Sequence, residues 1–194
     1  MKAIVCKEFG PPSKLILEDM EPLSPKKNEI LIDIHAAGVN FPDTLIIKDM
    51  YQFKPALPFT PGNEVAGVVS AVGEGVTTYS IGDEVIAMPT FGGYAEQIIV
   101  SPNQASKKPV NMDFTTAACF STTYGTSHYG LKDKAQLKAG EVVLILGATG
   151  GDGISAIEIA KVMGARVIAA ASTDEKLAVC KEYGADELIN YGNY

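Results

Sequence analysis

All eleven prolines of this 194-residue chain fall between Pro11 and Pro109, and none follows. Proline fixes φ and offers no backbone N–H, so it belongs in turns, loops and sheet edges and is excluded from helix interiors and central strands. The first half is therefore expected to hold short strands and irregular loops, and the second half regular helices and strands. Residues 106–113 form the natural seam between them. A length of 194 residues fits one large domain or two small ones. With 46% apolar and 20% charged residues, the chain can bury a sizeable core and is not disordered.

The net charge of −7 is spread along the chain, with 9 basic against 13 acidic groups in residues 1–109 and 7 against 10 in residues 110–194. Neither part carries a basic stripe to meet a phosphate backbone, so no nucleic-acid partner is expected. The three cysteines, Cys6, Cys119 and Cys180, lie far apart and form no CxxC pair, which excludes a disulfide framework or a zinc knuckle. Residues 1–9 already include Lys2, Lys7 and Glu8 and show no secretory signal. The longest strongly apolar run, residues 142–146, is too short to cross a bilayer. An acidic protein of the cytoplasm, with no membrane partner, is expected.

Five candidate strands lie in the first half, at residues 2–6, 29–36, 64–72, 83–88 and 94–100. Turn signals such as Gly10-Pro11-Pro12, Gly73-Glu74-Gly75 and Gly92-Gly93 separate them. Seven glycines between Gly62 and Gly93 imply sharply bent strands, as in a small closed or half-closed barrel. The second half alternates. Residues 142–146 are expected as a continuous buried strand, 154–163 as a helix ended by Gly164, and 166–171 as a second strand. Ser172, with Glu175 three residues on, resembles a capping box opening a helix over 174–183, which Gly184 ends before a third strand at 187–190. Strand-helix-strand-helix-strand with short loops predicts a parallel sheet with right-handed crossovers. The fold class is thus β followed by α/β.

The turn Gly147-Ala148-Thr149-Gly150-Gly151-Asp152-Gly153 carries the most chemistry. Glycines there let a backbone approach a pyrophosphate, and the following helix offers unpaired N–H groups and a positive dipole end. The spacing is not GxGxxG, and a tight turn that binds nothing has the same look; no Gly-Lys-Ser/Thr follows, which disfavours a nucleoside-triphosphate loop. Gly150, Gly151, Asp152 and Gly153 are the candidate pyrophosphate residues. About twenty residues on, a carboxylate would accept from a ribose 2′-hydroxyl and favour NAD. Here stand Ser172 and Thr173, with Lys176 one turn later, a set suited to a 2′-phosphate. NADPH is therefore favoured over NADH, although Ser172 also serves as a plain helix cap and the neighbouring Asp174 and Glu175 argue the other way.

Seven stretches, in order, extend the pattern over the whole chain: Ala37-Gly38-Val39-Asn40-Phe41-Pro42-Asp43, Leu57-Pro58-Phe59-Thr60-Pro61-Gly62-Asn63-Glu64, Val72-Gly73-Glu74-Gly75-Val76, Ile81-Gly82-Asp83-Glu84-Val85, Gly92-Gly93-Tyr94-Ala95-Glu96, Thr123-Tyr124-Gly125-Thr126 and the glycine turn. Together they resemble the medium-chain dehydrogenase/reductases, in particular the zinc-free quinone oxidoreductase branch. The resemblance implies a GroES-like, partly open β-barrel over residues 1–118 as the substrate domain. The first half of a Rossmann-type parallel sheet, over residues 119–194, then holds the cofactor. The family's zinc-dependent members place a cysteine where Asn40 stands and a histidine where Asn63 stands, and they add a four-cysteine lobe. With only His35 and His128 in the chain, no tetrahedral His/Cys zinc site is expected.

Zinc-free relatives pass a hydride from the nicotinamide to a quinone or an α,β-unsaturated carbonyl, where developing oxygen charge needs hydrogen-bond donors rather than a metal. By resemblance, Asn40 and Asp43 line the cleft, Asn40 as a polar positioning group, with Tyr51 as a phenolic donor. A helix cap for Asp43 and a packed aromatic for Tyr51 are the structural alternatives. Thr123 and Thr126 look like cofactor contacts, and Tyr191, just past the third strand, joins that set. Ser127-His128 lacks a G-x-S-x-G elbow, and Cys119 sits in an apolar stretch and is expected to pack. The chain departs from the family twice. Asp152 replaces a small apolar residue in the glycine turn and is expected to weaken pyrophosphate binding. Only the first half of a dinucleotide fold precedes Tyr194, so the chain resembles a truncated member, with a catalytically incompetent fragment that keeps cofactor or partner binding as the alternative. An apolar strand at 142–146 without its neighbour on one side is expected to drive self-association.

Overall fold

Short, glycine-bounded runs pair into sheets in the first half of the chain, where prolines forbid long helices. The computed structural model describes residues 1–193; Tyr194 lies outside them. Two units result, Met1–Ser121 and Thr122–Tyr194.

The first unit contains β1 (Lys2–Val5), β2 (Ile16–Asp19), β3 (Ile30–Ala37), β4 (Val65–Val72), β5 (Glu84–Ala87), β6 (Gln97–Val100) and β7 (Ala105–Lys107). Five of them form an antiparallel sheet in the order β6-β3-β4-β5-β7. Two irregularities in the β3–β4 register, at Leu31/Ile32 and Ile34/Ala36, bend the pair. The sheet thereby curls around a core that includes Ile30, Ile32, Val65, Val69 and Val85. The ribbon β1–β2 closes part of the gap, through Ile4 N–H donating to the Tyr94 carbonyl at 2.8 Å and a bridge between Cys6 and Phe59. This is the partly open barrel that the bends and turns imply. Two short helices, α1 (Phe41–Ile46) and α2 (Phe114–Ala117), and the strands β2 and β7 go beyond the sequence reading. Each is too short to display a hydrophobic period. Cys119, expected to pack, is exposed instead, because Ala117 and Ala118 take the buried positions.

The second unit contains most of α3 (Ser121–His128), then β8 (Val142–Leu146), α4 (Gly151–Val162), β9 (Arg166–Ala171), α5 (Asp174–Glu182) and β10 (Glu187–Asn190). Its strands are parallel in the order β10-β9-β8, the first half of a Rossmann-type sheet. Ile157 and Ala160 of α4 and Cys180 of α5 join Ile145, Val167 and Ala169 in one core cluster. One expectation needs correction. β8 is not a continuous buried strand: Ile145 is buried, but Val142, Leu144 and Leu146 are 55%, 53% and 72% exposed. Among the described residues β8 pairs only with β9. Successive side chains point to opposite faces of a strand. Val143 and Ile145 join the core cluster, so the alternate residues face the uncovered side.

Candidate functional site

In the first unit a polar cluster forms at the start of α1. Asn40 is the N-cap, in extended conformation at φ −110° and ψ 156°, and its backbone N–H donates to Asp43 Oδ2 at 2.8 Å. The Tyr94 hydroxyl donates to the same oxygen at 2.8 Å. The Asn40 amide nitrogen donates to Asn63 Oδ1 at 3.2 Å and to Glu64 Oε2 at 3.1 Å. Asp43 and Glu64 are only 6% and 0% exposed, so these bonds offset the cost of burying their polar oxygens. Burial, and next the bond to Asp43, pushes the Tyr94 phenol far above its ordinary range, so it remains a donor. Gly38 makes room for the cluster: a Cβ there would stand 2.3 Å from the Ala118 carbonyl oxygen and 3.1 Å from Glu64 Oε2.

Asn40 and Asp43 thus come together, and Asp43 is also the cap partner that the alternative reading assigns it. Tyr51 packs elsewhere, against the apolar cluster of Cys6, Ile46, Ile47 and Phe59. Asn63, Glu64 and Tyr94 complete the cluster, and the sequence reading gave them no role in it. Their signal is the run Gly62-Asn63-Glu64, in which an acidic residue directly precedes a buried strand. The carboxamides of Asn40 and Asn63 do not suit zinc, which favours thiolate, imidazole and carboxylate ligands. Among the described residues no three His, Cys, Asp or Glu side chains gather as a metal set.

The second unit builds its site on the turn between β8 and α4. Gly150 is the N-cap in extended conformation, and the first intrahelical bond runs from Ile154 N–H to the Gly150 carbonyl at 2.9 Å. The N–H groups of residues 151–153 precede it and are orphan donors of the first turn. Gly153 is indispensable there, since a Cβ would stand 2.6 Å from the Ala148 carbonyl carbon. Buried Ser155 locks the turn to α3: its Oγ lies 3.0 Å from the Thr123 carbonyl oxygen and 2.9 Å from Ser127 Oγ. Ser127 Oγ donates in turn to the Asp152 carbonyl at 2.8 Å. Thr123 lies directly beside Gly151, its Cγ2 2.8 Å from where a Cβ would be. Thr126 and Asp152 are exposed, and so is His128, whereas Ser127 is buried.

At the end of β9 the Lys176 ammonium donates to Ser172 Oγ at 3.2 Å. The N-cap of α5 is Thr173, not Ser172: Thr173 is extended, at φ −145° and ψ 160°, and its hydroxyl accepts from Lys176 N–H at 3.4 Å. The cap therefore shifts one residue along from the expected box, and Ser172 turns to the lysine. Tyr191 is exposed in a short 3-10 turn directly after β10.

The family model for the alcohol dehydrogenase GroES-like domain matches residues 26–110, and that for the zinc-binding dehydrogenase matches residues 151–194. The quinone oxidoreductase of Sus scrofa is 41% identical over 193 residues, covering 98% of this chain and 59% of the relative. The chain belongs to the medium-chain dehydrogenase/reductase family, in its zinc-free quinone oxidoreductase branch. Among solved structures, the Escherichia coli quinone oxidoreductase complexed with NADPH superposes with a TM-score of 0.92 at 33% identity, over 100% of this chain and 60% of that one. The enoyl reductase CurK gives 0.89 at 34%, over 97% and 59%. This family member thus spans about three fifths of the length of the relatives it matches.

A further hydrogen bond anchors α3 to α4. The Tyr124 hydroxyl donates to Glu158 Oε2, and that bond first, then burial, pushes the phenol up to about 12. A folded-state value above the ordinary 10.0 means that this contribution to stability is complete below about pH 10 and is lost as pH rises toward about 12. Spectrophotometric titration, with Tyr124→Phe to assign the step, is expected to find one tyrosine ionising near that upper value. Glu158→Gln should return it toward the ordinary range. Titration of Tyr124 together with the exposed tyrosines would contradict the assignment.

Proposed function

We propose that this protein is a zinc-independent oxidoreductase that transfers a hydride from NADPH to a quinone or an α,β-unsaturated carbonyl. The observation that carries this reading is the pairing of the Gly150–Gly153 turn at the head of α4 with Ser172 and Lys176 at the end of the adjacent strand. The orphan N–H groups of residues 151–153 and the open space around Gly147 fit a pyrophosphate, and Ser172 with Lys176 fits a 2′-phosphate. The Escherichia coli relative's NADPH complex and the names quinone oxidoreductase and enoyl reductase among its relatives support the cofactor and the two acceptor classes.

The nicotinamide supplies the hydride when the cofactor is bound. Thr123, fixed beside Gly151, and Thr126 on the same helix orient the cofactor, and Tyr191 borders its 2′-phosphate. Asn40, held by the buried Glu64 and by Asn63, is a rigid polar positioning group for the acceptor, and Asp43 keeps the Asn40 backbone in place. Tyr51 has its ring packed against Cys6, Ile46, Ile47 and Phe59, and we assign its hydroxyl as the phenolic donor to the acceptor's oxygen. The open outer edge of β8 favours a second reading, in which the chain by itself binds the adenosine half of the cofactor without turnover.

That edge also bears on partners. The exposed Val142, Leu144 and Leu146 line an edge strand, a template for pairing with the same strand of a second copy. We place the protein in the cytoplasm, the compartment that three cysteines far apart in sequence and without a CxxC pair fit best. No helix among the described residues is long and apolar enough to cross a membrane.

Fluorescence titration is expected to show NADPH binding about tenfold or more tighter than NADH, the worth of one charge-assisted hydrogen bond to phosphate. Lys176→Ala should abolish that margin, and Asp152→Val should tighten both cofactors by removing a like charge beside the pyrophosphate. Equal dissociation constants for the two cofactors would overturn the NADPH reading, and binding without oxidation of NADPH by a quinone would select the second reading. Sedimentation across a concentration series is expected to show reversible association of this chain; a monomer at every concentration would exclude pairing through β8.

A further inference from the structure

Rested on the NADPH reading, a question remains of why two carboxylates at the phosphate site do not defeat it. Asp174 and Glu175 occupy the first turn of α5, between Ser172 and Lys176 in sequence. A free carboxylate there would repel a phosphate and would instead accept from a ribose 2′-hydroxyl. Both are otherwise engaged. Glu175 is held at the cap, where its own backbone N–H first, and then the Thr173 hydroxyl, keep it below the usual carboxylate range. Asp174 Oδ1 accepts from the Asn190 amide nitrogen at 2.7 Å.

Asn190 reaches it from the neighbouring strand. It ends β10 and stands in register with Ala171, the last residue of β9. Its amide is oriented, because Oδ1 accepts from Gly192 N–H at 3.0 Å and so directs the NH2 group toward the carboxylate. Lys176 meanwhile donates to Ser172 Oγ at 3.2 Å instead of pairing with Asp174. We propose that Asn190 is a specificity-determining residue: by holding the Asp174 carboxylate onto the end of β10, it reserves Ser172 and Lys176 for the 2′-phosphate. Without that hold, Asp174 competes for Lys176 and offers itself to a free 2′-hydroxyl, which moves the preference toward the unphosphorylated cofactor.

Calorimetric binding of 2′,5′-ADP and of 5′-AMP to the whole chain tests this without need of turnover. The wild-type protein is expected to prefer 2′,5′-ADP. Asn190→Ala should weaken 2′,5′-ADP about tenfold while changing 5′-AMP by less than about twofold, as expected for one uncovered like charge. Asp174→Asn/Asn190→Ala should restore the preference, which a merely structural role for Asn190 would not allow. A wild-type chain that favours 2′,5′-ADP, with Asn190→Ala unchanged or with no rescue in the double variant, overturns the role of Asn190. A wild-type chain that does not discriminate between the two probes overturns the NADPH reading itself, and this inference with it.

Discussion

Helix α4 can press against the turn that follows β8 only because residue 153 has no side chain. The backbone of Ala148 occupies the place where a Cβ would stand, at 2.6 Å. Displacement of α4 by even one methyl group would carry the orphan N–H groups of residues 151–153 away from the strand end and pull Ser155 from its bonds to α3. The placement of those N–H groups, the seating of Thr123 beside Gly151 and the packing of Ile157 on the parallel sheet all depend on that one contact.

The polar cluster of the first unit rests on a different constraint. Two acidic side chains, Asp43 and Glu64, lie buried and accept hydrogen bonds from Tyr94, from the Asn40 backbone and from the Asn40 side chain. Loss of one donor would leave a buried acceptor short of a partner, which costs more than the bond itself contributes. Carboxamides and a phenol, all fixed by these bonds, make a rigid polar wall.

Much of this was legible in the sequence, for physical reasons that can be named. Proline exclusion separated the barrel from the parallel sheet, and the runs at Val142–Leu146 and Arg166–Ala171 announced strands before each helix. Asn40 and Asp43 are three residues apart, a spacing that local geometry brings together. Other features depend on partners distant in sequence. The bond between Asn190 and Asp174 crosses from the end of β10 back to the first turn of the preceding helix, and Tyr94 meets Asp43 from 51 positions away. The burial of β8 was misjudged because apolar character reports what a strand can bury, not which of its faces is covered. The cap of α5 falls on Thr173 and not on the expected Ser172 because the neighbour carries a hydroxyl too, and backbone conformation alone decides between them.

On the proposed reading, the turn at the head of α4 and the start of α5 together hold NADPH. Hydrogen exchange of this chain, with and without saturating NADPH, tests it most directly. The account predicts slower exchange of the amides of residues 151–153 and 172–176 when the cofactor is present, with no change in the core strand β4. Unchanged exchange at residues 151–153 under saturating NADPH, or protection confined to the first unit, would contradict it.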